Sequence, residues 1–245
     1  MSYASTLNGC GKTDRGLVRQ TNEDGCLCNL SRNLFVVSDG MGGVAGGKVA
    51  SNLFLQVSED FFSGSPIHST EELRNRVRDS FARANSRIIN EAREKSLPGM
   101  GCTAELLTIH NDETFVLGHV GDSRTYRFRD GTLTRLTTDH SLVQQQLDQG
   151  LITREEMAHS HKKNVLLRAV GTQMELTIDI LTGAIQRGDF FLLCSDGLHN
   201  MVSEEEIRDV LAYDASLELK VDMLIDMAND SGGKDNITVL LIEKS

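Results

Sequence analysis

Eight short runs of this chain are rich in Val, Ile, Phe and Leu and bounded by Gly, Asp or Asn, and their grouping restricts the fold more than any other feature. They cover residues 25–30, 33–38, 104–110, 114–120, 124–129, 176–181, 190–194 and 237–242. Runs of this length and composition read as strands. Asn111-Asp112-Glu113 joins two of them as a hairpin, and Asp130-Gly131 forms the turn of another. Helices bunch between these groups instead of alternating with them. Leu73, Val77, Phe81, Ala84, Ile88 and Ala92 recur at three- and four-residue steps and predict a helix over about 70–95 with one apolar stripe. A second helix follows Gly43 through Val49, Leu53 and Val57, a last one covers about 216–229, and Thr153–Glu156 and Ser203–Glu206 match capping boxes. Hairpin-linked strands with bunched helices predict antiparallel sheets with helices outside, an α+β class; a doubly wound parallel sheet would need strict alternation.

The strand ends carry acids. The apolar stretch 34–37 runs into Ser38-Asp39-Gly40, 115–120 into Gly121-Asp122, and 190–193 into Cys194-Ser195-Asp196-Gly197. Asp235-Asn236 immediately precedes 237–242, and Asn22-Glu23-Asp24 stands just before 25–30. Loops held by strand ends are where a fold usually places chemistry. Gathered carboxylates repel one another unless cations neutralise them, and hard oxygen donors in that number suit Mg²⁺ or Mn²⁺. The bland alternative is that each Asp-Gly is only a turn; charge placement alone leaves both readings open.

Bulk properties narrow the class. The 245 residues are long for one average domain and short for two, and are read here as a single domain over 1–245. Hydrophobic residues at 39% support a packed core. The net charge of −10 repels nucleic acid and anionic lipid, so neither is expected as a partner. No apolar run approaches the roughly 18 residues of a membrane span, and residues 1–11 lack the basic and apolar regions of a signal peptide. The five cysteines are odd in number, scattered and without a CxxC pair, which argues against a disulfide framework or structural zinc. A soluble, cytoplasmic, monomeric protein with reduced thiols is expected.

An ordered set of local strings then resembles one family. Thr13-Asp14-Arg15-Gly16 with Arg19-Gln20-Thr21-Asn22-Glu23-Asp24 looks like the opening motif of the protein phosphatase 2C family, the metal-dependent serine/threonine phosphatases. Asp39-Gly40-Met41-Gly42-Gly43, Met100-Gly101-Cys102-Thr103, Gly121-Asp122-Ser123-Arg124, Thr138-Asp139-His140-Ser141, the stretch 164–171, Cys194-Ser195-Asp196-Gly197 and Lys234-Asp235-Asn236 follow in family order over about residues 9–242. The resemblance implies a four-layer α-β-β-α sandwich, two antiparallel sheets flanked by helices. It implies two Mn²⁺ or Mg²⁺ ions, with Asp39 bridging both, Asp196 and Asp235 binding one, and Glu23 with the Gly40 carbonyl binding the other. Asp24 would act through metal-held water, Arg19 would grip the substrate phosphate, and Asp122 with Asp196 matches the third, weaker ion site of bacterial members. A metal-bridging hydroxide would attack phosphorus in line without a phosphoenzyme. Phosphorylated proteins are the implied substrates, a serine/threonine kinase the implied counterpart, and the stretch at about 141–165 a flap beside the site. The sequence departs from the family pattern at Met41, where eukaryotic relatives have a His assigned as general acid, and at Ser38, Lys48, Cys102 and Leu167; none of these removes an implied ligand.

Three other readings compete. Gly42-x4-Gly47-Lys48 nearly spells a nucleotide phosphate loop, but Val49 stands where Ser or Thr must meet Mg²⁺. Cys26-x5-Arg32 has the spacing of a cysteine-phosphatase loop, but the intervening residues lack Gly and read as a strand. A catalytically dead binding module is the third, against which stand the intact acids and Arg19. The helix arginines Arg74, Arg78, Arg83, Arg87 and Arg93 read as a solvated face. His119 reads as a strand-surface or packing residue, while His140 is open between ordering the site and structural hydrogen bonding.

Overall fold

Strand pairing decides the architecture. A computed structural model describes residues 7–245 except 44, 45, 65 and 112. In chain order the strands are β1 (Leu7–Asp14), β2 (Gly25–Asn29), β3 (Leu34–Ser38), β4 (Gly40–Met41), β5 (Gly101–Cys102), β6 (Ala104–His110), β7 (Thr114–Val120), β8 (Arg124–Arg129), β9 (Thr132–Arg135), β10 (Asp179–Ala184), β11 (Phe190–Cys194) and β12 (Ile237–Lys244). The helices are α1 (Gly46–Phe62), α2 (Thr70–Glu94), α3 (Leu142–Asp148), α4 (Arg154–His159), α5 (Asp196–His199), α6 (Glu204–Ala212) and α7 (Leu217–Asp230). One five-stranded sheet has the order β1-β12-β11-β8-β9, the other β10-β7-β6-β3-β2, and β4 pairs with β5 apart from both. Every named pairing is antiparallel.

The apolar residues sort into three layers of packing. Phe35, Val37, Leu107, Leu117, Phe191, Leu193, Leu240 and Ile242 interdigitate between the sheets, with Phe115 and Phe191 edge-on at 5.2 Å. The opposite face of β3, β6 and β7 packs on α1 and α2 through Val36, Leu106, Phe54, Val77 and Phe81. The opposite face of β11 and β12 packs on α6 and α7 through Leu192, Val239, Ile207, Val221 and Leu224. Each fully buried side chain of this kind contributes about 1.5–3 kcal/mol. The α-β-β-α order is the expected one.

Local signals place most elements. Ser69 caps α2, its hydroxyl accepting from Glu72 N–H at 3.1 Å, and the predicted stripe from Leu73 to Ile88 is buried. Both capping boxes form. On α1 the buried stripe is Ala50, Phe54 and Val57, with the predicted Val49 and Leu53 only partly covered. The strand predicted over 176–181 lies three residues later, because Leu181 pairs with Leu117 and Ala184 with Thr114. β1 has no apolar alternation and was not expected; a Cβ on Gly9 would stand 2.7 Å from Cys28 Sγ and one on Gly11 2.8 Å from Leu240 Cδ1, so small residues let this edge strand lie close to its neighbours. Of the predicted 111–113 turn, Asp112 lies outside the described residues; Asn111 is left-handed at φ 49°. Among the described residues no helix is long and apolar enough to cross a membrane, and all five cysteines are free.

Candidate active site

Register alone brings the acids to one end of the sandwich. Gly25 pairs with Ser38, which sets Glu23 and Asp24 beside Asp39. Cys194 pairs with Val239, which sets Asp196 beside Asp235. Ala104 pairs with Val120, so Asp122 follows Thr103 at the same edge, and Asp14 pairs with Ile237, which starts the 15–23 loop there. A cleft of about 530 Å³ results, lined by Arg19, Glu23, Asp39, Gly40, Asp122, Asp196 and Asp235, with Met41, Asn164 and Asn236.

Each acid has a distinct setting. Burial pushes the Asp39 carboxyl well above the usual range, and the charges of Asp24, Asp196, Asp122 and Asp235 add to the shift. Asp196, the first residue of α5, is raised for the same reasons; its Oδ2 accepts from Asn200 Nδ2 at 3.0 Å and its Oδ1 has no partner. Burial takes Asp122 up to about 6, with Asp139 adding to it. Asp24 is likewise pushed to about 6 by burial against hydrogen bonds that favour its charge; Thr238 Oγ1 donates to its Oδ2 at 2.7 Å and its Oδ1 is unpartnered. Glu23 is raised by burial, with Arg19 opposing. Asp235 is engaged at both oxygens, by its neighbour's Asn236 N–H at 2.8 Å and by Arg19 Nη2 at 2.7 Å. Arg19 therefore holds an aspartate that the sequence reading assigned to a metal. Among the described residues no three His, Cys, Asp or Glu side chains form a closed ligand set.

A ring of neutral groups fixes these acids; Thr103, His140 and Asn236 stand in the motifs read from the sequence, but the bonds they make, and all of His199, do not show there. Thr103 grips Asp39 from both sides: its Oγ1 accepts from Asp39 N–H at 2.9 Å and its own N–H donates to Asp39 O at 2.8 Å. Asn236 ties down the loop bearing Arg19 and Glu23, accepting from Glu23 N–H at 2.9 Å and donating to the carbonyls of Arg15 and Thr21, each at 2.9 Å. His140 N–H donates to Gly121 O at 2.7 Å, while Gly121 N–H donates to His140 Nδ1 at 3.1 Å. That leaves the ring proton on Nε2, which faces Asp179 Oδ2 at 3.2 Å. His199 Nε2 donates to Asp122 O at 3.0 Å. Burial pushes His140 down to about 4 and His199 to about 3, so both work as neutral rings. His119 is fully buried and not a strand-surface residue; it hydrogen-bonds Glu105 and, through Nε2 at 2.9 Å, Thr138 O.

The decoys resolve. A Cβ on Gly47 would lie 2.4 Å from Glu23 Oε2 and 2.7 Å from the Gly40 carbonyl, so the glycine serves the close approach of α1 to the acids, and Lys48 is exposed. Cys26 sits within β2, paired with Val37, and burial pushes its thiol up to about 11, the reverse of an activated nucleophile.

The donor set fits divalent cations: oxygen ligands only, half-buried to buried, mutually repelling, with oxygens of Asp24 and Asp196 lacking any partner. Two antiparallel sheets that converge an acid cleft on one edge, with an arginine at its mouth, define a hydrolase class that handles phosphoryl groups through metal ions. The family description for protein phosphatase 2C matches residues 13–236. The serine/threonine phosphatase stp of Listeria welshimeri is 40% identical over 239 residues, 96% of this chain and 94% of that one. The Streptococcus agalactiae serine/threonine phosphatase superposes with a TM-score of 0.93 at 32% identity, covering 98% of this chain and all of that one. The catalytic domain of the phosphatase PstP, solved with two manganese ions, superposes with a TM-score of 0.88 at 34% identity over 98% of this chain and 99% of its own. The chain belongs to the protein phosphatase 2C family, the metal-dependent serine/threonine phosphatases.

Proposed function

We propose that this chain hydrolyses phosphoserine and phosphothreonine esters of proteins using two Mn²⁺ or Mg²⁺ ions held by Asp39, Glu23, the Gly40 carbonyl, Asp196 and Asp235. The observation that carries this reading is the convergence of those carboxylates on one cleft with Arg19 at its mouth and unpartnered oxygens on Asp24 and Asp196. When bound, the ions acidify a water and offset charge on the phosphoryl oxygens. Asp39, its backbone held by Thr103, would serve both ions. Asp24 orients water, and Asp122 with Asp196 offers a third, weaker cation site. Arg19 is half-exposed and can leave Asp235 for the substrate, where its planar fork donates to two phosphate oxygens at once. Met41 has no proton to give, so the leaving alcohol takes its proton from water in the cleft. No side chain needs to become phosphorylated, because none in the cleft is an activated nucleophile.

In this reading residues 1–245 work as one catalytic domain, with the stretch at about 141–165 as the flap. The chain acts as a cytoplasmic monomer in signal transduction, opposite a serine/threonine kinase. Hydrolysis of para-nitrophenyl phosphate and of a phosphothreonine peptide is expected with Mn²⁺ or Mg²⁺ and not in chelator. Turnover that survives chelation, or none with metal, would overturn the reading. A metal-soaked crystal in which Asp39 touches fewer than two ions would overturn the ligand assignment alone.

A further inference from the structure

Beside the catalytic cleft lies a larger pocket of about 690 Å³, roofed by α3 and α4. That volume lies within the roughly 300–1,000 Å³ typical of ligand sites. Asp122 and Asn164 line both cavities, so the pocket opens from the catalytic cleft along one shared wall. The flap's base is pinned where Ser141 bridges Leu166 and Leu142 N–H donates to Val165 O at 2.8 Å, which keeps the roof over the pocket.

Its charges are unequal in availability. Arg124 and Arg135 both bond Asp139, so their charges are paired with it, although Arg135 Nε has no partner. Asp122 faces the catalytic cleft as well. Arg154 and Lys163, both exposed, line the pocket; among the described residues neither makes a salt bridge, and Lys163 also lies near enough to Asp196 to favour its charge. The remaining acid, Glu204, stands at the start of α6 on the other wall and makes no salt bridge to them. On a chain of net charge −10, two cations free of salt bridges and facing a pocket that continues the active cleft select for anionic groups.

Resting on the phosphatase reading above, we propose that this pocket is a substrate subsite that receives an acidic side chain, Asp or Glu, flanking the phosphorylated residue, held by Arg154 and Lys163. An extended peptide with its phosphate in the catalytic cleft is the occupant; the shared wall at Asn164 is the path it follows. The subsite sets which phosphoproteins are turned over and leaves the chemistry of the ester untouched.

The test uses the Mn²⁺-loaded enzyme and phosphothreonine peptides carrying one Glu at each position within four residues of the phosphothreonine, with Gln at the same positions as the neutral reference. Para-nitrophenyl phosphate, too small to reach the pocket, normalises every variant. One or more Glu positions should raise kcat/KM over Gln by about threefold to tenfold, the scale of partly exposed ion pairs. Arg154→Ala and Lys163→Ala should each reduce that preference and together erase it, while Glu204→Gln should enlarge it. Para-nitrophenyl phosphate turnover should stay unchanged in Arg154→Ala and Glu204→Gln. The proposal is overturned if no Glu position is preferred, or if the preference survives the double variant. Failure of the phosphatase reading would look different: no metal-dependent turnover of para-nitrophenyl phosphate in the parent enzyme.

Discussion

Asp39 illustrates how one side chain is both a cost to the fold and the centre of the site. Its carboxylate is half-buried in the cleft with Asp24, Asp196, Asp122 and Asp235, each of which disfavours its charge. Asp39→Asn should therefore melt no lower than the parent in chelator, or higher, because it removes a buried repulsion. With saturating Mn²⁺ it should gain less in melting temperature than the parent, and kcat should fall by at least about 10²–10³-fold. Thermal unfolding with and without metal, beside a para-nitrophenyl phosphate assay, checks both halves; a variant that is destabilised without metal would contradict the repulsion argument. Asn236 acts on the site without being charged. Asn236→Ala would orphan Glu23 N–H and two carbonyls of the Arg19 loop, at a cost of about 1–3 kcal/mol. Because that loop carries Arg19, KM for para-nitrophenyl phosphate should rise more than kcat falls; an unchanged KM would mean that the loop is held by other contacts.

At the scale of elements, the segment linking β9 to α3 is locked by charge. Asp139 is bonded by both Arg124 and Arg135, with Arg124 Nη2 at 2.8 Å, and its side chain is 5% exposed. Burial alone would raise its pKa; the two guanidiniums override that and hold it below the usual range. A carboxylate depressed in the fold contributes stability above its unfolded pKa, near 4, and loses that contribution as pH falls through the folded value. Denaturant midpoints should accordingly drop on acidification below about pH 4 in the parent, and less steeply in Asp139→Asn. Asp139→Ala leaves Arg124 buried without its partner and should cost about 3–5 kcal/mol at neutral pH. Ser203→Ala tests a purely local signal: the capping box of α6, with Glu206 N–H to Ser203 Oγ at 3.2 Å, should be worth about 1 kcal/mol in chemical denaturation.

For the whole molecule, the cleft couples metal to folding. The acids that repel in the folded chain are separated when it unfolds, so cations bind the folded state preferentially. At a hundredfold excess of Mn²⁺ over its dissociation constant the gain is about 2.7 kcal/mol. Differential scanning calorimetry should show the transition rising with Mn²⁺ and returning on chelation, and a transition indifferent to Mn²⁺ would count against a metal centre at this end of the sandwich.

Much of this molecule was legible without coordinates. Apolar runs bounded by turn residues named most strands and 3.6-period stripes the long helices, because strands buried on both faces and helices buried on one record that burial residue by residue in the sequence. The acids at strand ends, and their order along the chain, were equally local. What the sequence could not carry was everything set by register between distant segments. Asp24 meets Thr238 across 214 positions and Arg19 meets Asp235 across 216. The clamps at Thr103, Asn236, His140 and His199, the edge strand β1 with its glycines, and the pocket beneath α3 and α4 exist only once the sheets are paired. A sequence states which side chains are available; only the antiparallel pairing of strands decides which of them face one cleft, and which oxygens are left there without a partner.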